Sequence, residues 1–364
     1  MTEPIWVNMP AKAYPIFVGY DLLAQPNLFQ SHLHKAVCVV SHPEIAASYF
    51  PLLEQTLQKA GARKITSLLL PAGDAHKTLA FAEKIWSFLS NLHYHRDTTL
   101  IALGGGMIGD LVGYSGACYM RGLDVIQCPT SLLAQVDAAI GGKTAVNLQN
   151  SKNLIGLFHQ PRMVLSDLNT LQTLPNREFI AGLAELIKYG VILDAALFEW
   201  LETHIVEILA RKPQALERAV VWASQIKADI VAKDEKDQNL RAVLNFGHTI
   251  AHAIESIYHY EKYLHGEAVA MGMIIAMQLS LALGLISANL LDRLIALLTK
   301  AGLPIFLPDG ITLEAILAKI QLDKKHSQGQ IRWVLVEALG QAQLRENVPL
   351  PMIYDVLKAS GASM

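Results

Sequence analysis

Three histidines, His248, His252 and His265, share one short stretch with the acids Glu255 and Glu267. His248 and His252 are four residues apart, so a helix would set them on one face. Neutral imidazole is a ready ligand for zinc-like cations, and a catalytic zinc site typically takes three protein ligands and leaves one position open. Histidines also serve as ordinary hydrogen-bonding residues of helices and loops, so spacing alone leaves both readings open.

A second chemical signal is Gly104-Gly105-Gly106-Met107-Ile108-Gly109-Asp110. It follows an apolar run at 98–103 and should open a helix. Glycines let backbone N–H groups approach a pyrophosphate, and a helix N-terminus favours negative charge. The spacing Gly104-x-Gly106-x-x-Gly109 satisfies the dinucleotide pattern, although it does not lie on the first strand. A third is Gly141-Gly142-Lys143-Thr144, which looks like the tail of a P-loop. That pattern needs its first glycine where Asp137 stands, so it is rejected. What remains is a glycine-flanked lysine suited to a phosphate or carboxylate, with Lys152 and Asn153 close behind.

The elements that must position these residues change character along the chain. Apolar, partly β-branched runs at 36–40, 65–70, 98–103, 125–128 and 163–165 alternate with helix-like segments such as 44–59 and 79–92. This alternation argues a parallel sheet with helices on its faces, and such sheets bind ligands beyond the carboxyl ends of their strands. The proline turn at 173–177 ends the pattern. Beyond it the chain reads as helices at 177–190, 195–210, 213–233, 244–257, 266–283, 289–300 and 313–320, with one strand-like run at 331–336. Two domains are expected, 1–174 and 175–364.

Composition bounds the function. The chain has 364 residues, 52% hydrophobic and 17% charged, with a formal charge of −2. Nothing in that balance argues for a nucleic-acid or membrane-surface partner. Cys38, Cys118 and Cys128 lack metal spacing and suit a reducing, cytoplasmic setting better than a disulfide framework. The N-terminus has no basic-then-apolar signal pattern. The run 268–291 carries no charged residue and is long enough to span a bilayer. Gln278, Ser280, Ser287, Asn289, Gly272 and Gly284 interrupt it, so a buried core helix is expected.

Glu185 and Lys188 are three apart on the first C-terminal helix, Lys227 lies on a later one, and Arg241 and Asn245 precede His248. Asp323, Lys324 and Lys325 lie near the late strand. Any one such charge is ordinary on a helix surface; the set acquires meaning as a constellation.

Together these segments resemble the 3-dehydroquinate synthase family of sugar-phosphate cyclases. The likeness is carried by Gly-Gly-Gly-Met-Ile-Gly-Asp (104–110), Pro-Thr-Ser-Leu-Leu-Ala-Gln-Val-Asp (129–137), Gly-Gly-Lys-Thr-Ala-Val-Asn (141–147) and Lys-Asn-Leu-Ile-Gly (152–156). It continues in Phe-His-Gln-Pro-Arg (158–162), Gly-Leu-Ala-Glu-Leu-Ile-Lys-Tyr-Gly (182–190), Leu-Asn-Phe-Gly-His-Thr (244–249) and Leu-His-Gly-Glu-Ala-Val (264–269). The resemblance implies an α/β N-terminal nucleotide-binding domain and a mostly helical C-terminal domain that binds metal and substrate. It implies zinc, with cobalt a possible substitute, on Glu185, His248 and His265, and makes His252 a substrate-contacting neighbour. His₂Glu with an open position is sensible zinc chemistry.

The implied reaction starts from 3-deoxy-arabino-heptulosonate 7-phosphate. A ring hydroxyl loses hydride to NAD⁺, phosphate leaves by β-elimination, the hydride returns, the ring opens, and an intramolecular aldol step closes the carbocycle. By the same resemblance Lys143, Lys188, Lys227, Arg241, Arg121 and Lys324 or Lys325 form the cation cluster for carboxylate and phosphate. Asn153, Asn245 and His252 are polar partners, and Asp137 orients a hydroxyl at the cofactor junction. The NAD positions are Asp74, Lys77, Gly106, Met107, Ile108, Gly109, Asp110, Thr130, Ser131, Lys143, Lys152, Thr170, Leu171, Gln172, Thr173 and Glu178. A homodimer is implied too.

The chain departs from the family pattern at four places. Ser131 replaces a common threonine, Ala72-Gly73-Asp74 a common Asp-Gly-Glu, Ser41-His42 a Thr-Asp or Thr-Asn, and Asp237 a common glutamate. Two enzymatic alternatives remain: another sugar-phosphate cyclase, and a metal-dependent alcohol dehydrogenase of the glycerol-dehydrogenase type. A metal- or nucleotide-binding regulatory protein is a third.

Overall fold

The computed structural model describes residues 3–10, 12–149, 151–237, 240–326 and 331–363; the side chains of 322–326 fall outside that description. It divides into two compact units. One comprises Met1–Pro175 with Val220–Lys236, the other Asn176–Ala219 with Asp237–Met364. The turn at Pro175 is a unit boundary. The return of Val220–Lys236 to the first unit has no turn signal in the sequence, because it happens inside one continuous helix.

The first unit runs β1 (Ile5–Asn8), β2 (Ala13–Gly19), α1 (Pro26–Gln30), β3 (Ala36–Ser41), α2 (Pro43–Lys59), β4 (Lys64–Leu69), α3 (Leu79–Asn91) and β5 (Thr98–Gly104). It continues with α4 (Gly106–Cys118), β6 (Asp124–Pro129), β7 (Lys143–Leu148), β8 (Ser151–Phe158) and β9 (Met163–Asp167). Seven strands form a sheet in the order β1-β2-β9-β6-β5-β3-β4, parallel except for β1 against β2. β7 and β8 make a separate antiparallel ribbon.

Period-2 alternation divides the strand residues between the faces. Val37, Val39, Ile101 and Leu103 join Leu53 and Leu57 of α2 in one core. Cys38, Val40, Leu100 and Ala102 join Ile85 of α3 and Leu111 of α4 in the other. Burial on both faces explains why these strands read as continuous apolar runs.

The chain moves outward from β3 to β4 on one side and from β5 to β6 on the other. The carboxyl ends of β3 and β5 therefore flank a topological switch point, where such sheets bind ligands. The glycine turn sits there, which is why it need not follow the first strand.

The second unit contains α5 (Asn176–Ile192), α6 (Ala195–Leu209), the start of α7 (Pro213–Lys233), α8 (His248–Ile257), α9 (His265–Ala282), α10 (Ala288–Ala301) and α11 (Leu313–His326). The ribbon β10 (Trp333–Ala338) with β11 (Gln341–Arg345) and helix α12 (Leu350–Ala359) complete it. Helix α9 is long and apolar enough to cross a membrane by length and composition, yet most of it is buried in this unit. An all-round apolar helix is what the centre of a helical core requires.

The helix expected over 244–257 starts later. Leu240–Asn245 is a 3-10 turn, and Gly247 takes a left-handed φ of 78° before α8 begins at His248. Periodicity cannot register that break, because Leu244 and Phe246 are both buried.

Candidate metal centre and nucleotide-binding turn

Helices α5, α8 and α9 each contribute one residue to a buried point. Glu185 lies mid-way along α5 and is fully buried. His248 and His265 are the first residues of α8 and α9. The Nε2 atoms of His248 and His265 stand 3.7 and 3.6 Å from the same Glu185 oxygen. Ligand atoms about 2.1 Å from a zinc ion and tetrahedrally disposed stand roughly 3.4 Å apart, so the spacing fits one cation. The three donor atoms all lie within 4.8 Å of one another.

Local structure holds this convergence. Arg177 at the start of α5 grips Glu267 on α9 with two hydrogen bonds, of 2.7 and 2.8 Å, and donates to the Lys262 carbonyl at 2.7 Å. Glu267 in turn accepts from the Leu264 backbone N–H at 2.9 Å, capping the helix at the residue before His265. A Cβ at Gly266 would collide with the Ala181 carbonyl of α5, and one at Gly272 with the Gly247 carbonyl before α8. Both glycines permit the backbone approach that draws the three donors together.

The two histidines are perturbed in opposite directions. Burial pushes His248 down to about 3, and the Lys188 ammonium adds to that effect. Burial would also lower His265, but hydrogen bonds and attraction from Glu185 and Glu255 outweigh it and hold the ring up at about 10. Two carboxylates thus keep a proton on His265 where a divalent cation would replace it. Lys188, buried to 1% exposure, pairs with Glu185 across one turn of α5.

His252 does not join the donors. Its ring centre is 5.6 Å from that of His248, and it is exposed on the same helix. Fourfold helical spacing nominated a pair that shares a face, whereas the converging pair comes from two helices. Arg241 is buried to 2% exposure in the turn before α8, and Asn245 ends that turn exposed. Lys324 and Lys325 are helical in backbone, and their side chains lie outside the described residues. Glu178 is exposed in the first turn of α5.

In the first unit, β5 ends at Gly104, Gly105 caps α4, and the helix begins at Gly106. Gly109 lies against Gln127 of β6: a Cβ there would come within 2.9 Å of the side-chain oxygen, whose amide donates to the Gly109 carbonyl at 3.1 Å. This is the glycine that lets the helix press on the sheet. Met107 and Ile108 occupy the same first turn, with Ile108 buried in the core.

Two ion pairs border the turn. Lys77 bonds Asp110 at 2.5 Å, and Lys152 bonds Asp74 at 2.7 Å. Burial lifts the Asp110 carboxyl above the usual carboxylate range, and the Lys77 ammonium opposes that lift. The Asn147 N–H donates to the Lys77 carbonyl at 2.7 Å, pinning the β7–β8 ribbon to this loop. The ribbon carries Lys143, exposed at its start, and Asn153, with a left-handed φ of 54°.

Beside the ribbon, Lys227 of α7 bonds Asp137 at 2.6 Å, within the same unit. Thr130 donates its N–H to the Gly104 carbonyl at 2.9 Å, and Ser131 follows it. Thr170 and Leu171 are buried, and the Thr170 hydroxyl donates to the Asp167 carbonyl at 2.7 Å. Gln172 and Thr173 are exposed, with Thr173 bonding the Tyr49 hydroxyl at 2.6 Å. Arg121 is exposed with a φ of 68°. At the altered positions, Ser41 donates to the Leu103 carbonyl at 2.7 Å and His42 meets the Leu70 carbonyl at 2.9 Å, so both tie strand ends together.

Sequence reasoning left three participants unassigned: Glu255, and the clamp of Arg177 with Glu267. Glu255 and Glu267 stand beside the histidines in the sequence and Glu267 reaches back to Leu264, whereas Arg177 lies 90 residues from Glu267 and no local pattern links them.

A family model described as 3-dehydroquinate synthase N-terminal matches residues 67–181, and one described as 3-dehydroquinate synthase C-terminal matches 182–326. The chain belongs to the 3-dehydroquinate synthase family. It is 45% identical over 353 residues to a 3-dehydroquinate synthase of Teredinibacter turnerae, covering 97% of each chain. It is 46% identical over 349 residues to that of Coxiella burnetii, covering 95% of this chain and 96% of that one. Among solved structures, a 2-epi-5-epi-valiolone synthase from Streptomyces hygroscopicus, with NAD⁺ and Zn²⁺ bound, matches with a TM-score of 0.89. That match has 26% identity and covers 97% of this chain and 98% of the other.

Proposed function

We propose that this chain is a 3-dehydroquinate synthase, a phosphate-eliminating lyase that converts 3-deoxy-arabino-heptulosonate 7-phosphate to 3-dehydroquinate. The observation that carries the reading is the convergence of the His248 and His265 Nε2 atoms on one Glu185 oxygen. It occurs in a chain that matches 3-dehydroquinate synthases over nearly its whole length. The α/β unit binds NAD⁺, and the helical unit binds zinc and contributes to the substrate site. A homodimer in the cytoplasm belongs to the same reading.

Glu185, His248 and His265 would hold zinc, which would supply Lewis acidity toward a substrate hydroxyl, and the glycine turn would hold NAD⁺, which would supply a reversible hydride acceptor. The chain's own residues do the rest. The N–H groups at the start of α4 receive the pyrophosphate, and Lys77 and Lys152 hold Asp110 and Asp74 in place around it. Thr130, Ser131, Thr170, Leu171, Gln172, Thr173 and Glu178 form the remaining NAD contacts. Lys143, Lys188, Lys227, Arg241, Arg121 and one of Lys324 and Lys325 grip carboxylate and phosphate, with Asn153, Asn245 and His252 as polar partners. Asp137, held by Lys227, orients a hydroxyl. The elimination and aldol steps then need orientation more than strong acids.

The test is phosphate release from the heptulosonate with NAD⁺ and zinc. Release should stop on adding a chelator and return with zinc, and no NADH should remain at completion. Release from sedoheptulose 7-phosphate or glucose 6-phosphate instead would assign a different cyclase. Steady NADH accumulation with a simple polyol would assign an alcohol dehydrogenase.

A further inference from the structure

The buried carboxylate of Glu255 has no part in the reaction outlined above. Its side chain is 3% exposed on α8, and its Oε1 lies 3.3 Å from Nδ1 of His265 on α9. The same imidazole turns Nε2 toward Glu185 at 3.6 Å. His248 is arranged alike: Nδ1 meets the Phe246 carbonyl at 3.0 Å, and Nε2 faces Glu185 at 3.7 Å. A carbonyl and a carboxylate both accept, so each ring keeps a hydrogen on Nδ1, and a cation that replaces any Nε2 proton would meet the Nε2 lone pairs at the common point. The two supports differ in charge. A backbone carbonyl backs His248, and a full negative charge backs His265.

We propose that Glu255 is a positioning residue of the metal centre: it fixes the tautomer and pose of His265 and supplies the second negative charge that neutralises a divalent cation beside Glu185. This rests on the divalent-metal reading of the site. Helix α8 thereby serves the cation twice. Its first residue is a ligand, and Glu255, two turns on, orients a ligand on the neighbouring helix. Such outer partners raise the basicity of the histidine they hold, and removing them typically lowers metal affinity ~10–100-fold.

The experiment compares wild type, Glu255→Gln and Glu255→Ala by zinc competition against a chromogenic chelator, and by the visible spectrum of the cobalt-substituted protein. Glu255→Gln keeps the shape and an acceptor but loses the charge, so zinc affinity should fall ~10-fold with the cobalt bands little moved. Glu255→Ala loses both, so affinity should fall ~100-fold and the bands should shift in position and intensity. Melting of the metal-free forms checks folding, and if the alanine variant fails to fold, the near-isosteric glutamine variant decides. Zinc affinity within twofold of wild type in the deciding variant overturns the role of Glu255 alone. A wild-type protein that takes up neither zinc nor cobalt removes the metal reading and this inference with it.

Discussion

At the scale of single residues, the donor set separates ligands from neighbours. Glu185→Gln takes the negative charge from one of three donors and His248→Ala removes another outright, so zinc affinity should fall by ~100-fold or more, exceeding the loss of an outer partner. His252→Ala should retain zinc while slowing turnover, because its ring stands outside the cluster. Metal analysis of the purified variants checks both; zinc lost from His252→Ala but kept in His265→Ala would reverse the ligand assignment. Glutamine is the cleaner change at position 185, because it keeps a hydrogen-bond acceptor beside the buried Lys188 ammonium that alanine would remove. In the other unit, Lys152→Ala deletes the 2.7 Å bond to Asp74 and a cation beside the glycine turn. About 1.5 kcal/mol of charged hydrogen bonding corresponds to NAD⁺ binding ~10-fold weaker. Calorimetric titration should show that loss for the nucleotide and a smaller one for substrate.

At the scale of elements, backbone proximity sets the spacing of the donors. The start of α8 and the body of α9 meet where Gly272 faces the Gly247 carbonyl, with no room for a methyl group. Gly272→Ala should cost about 2–3 kcal/mol of stability and reduce zinc occupancy, because the only relief is to part the helices that carry His248 and His265. Thermal melting with parallel metal analysis reads both quantities; normal stability with full zinc would refute the close approach. Periodicity located these helices but not their beginnings. The start of α8 depends on a left-handed glycine and the capping of α9 on a glutamate, and each places a histidine at the first helical position.

At the scale of the molecule, α7 is the element whose residues are shared between the two compact units. Its later part belongs to the α/β unit, through Lys227 on Asp137, Glu235 on Gln160 and the Ser224 hydroxyl on the Gln135 carbonyl. A fragment of residues 1–175 lacks that strip and with it the contacts that Lys227, Glu235 and Ser224 make to Asp137, Gln160 and Gln135. It should melt without a sharp transition and be cut faster by protease than the same region in the intact chain. A fragment that melts cooperatively and resists protease as well as the intact chain would show the strip to be dispensable.

Local chemistry was legible in the sequence. Apolar alternation gave the parallel sheet, glycine spacing gave the turn at a strand end, and histidines with acids gave a candidate cation site, because each signal lies within a few residues of chain. The tertiary structure decided what depends on distant residues meeting. It placed β3 beside β5 to make the switch point, returned most of α7 to the α/β unit, and aimed imidazoles from two helices at a carboxylate on a third. Spacing along one helix can report a shared face, but only packing can report convergence, since the donors gather through contacts between helices far apart in the chain.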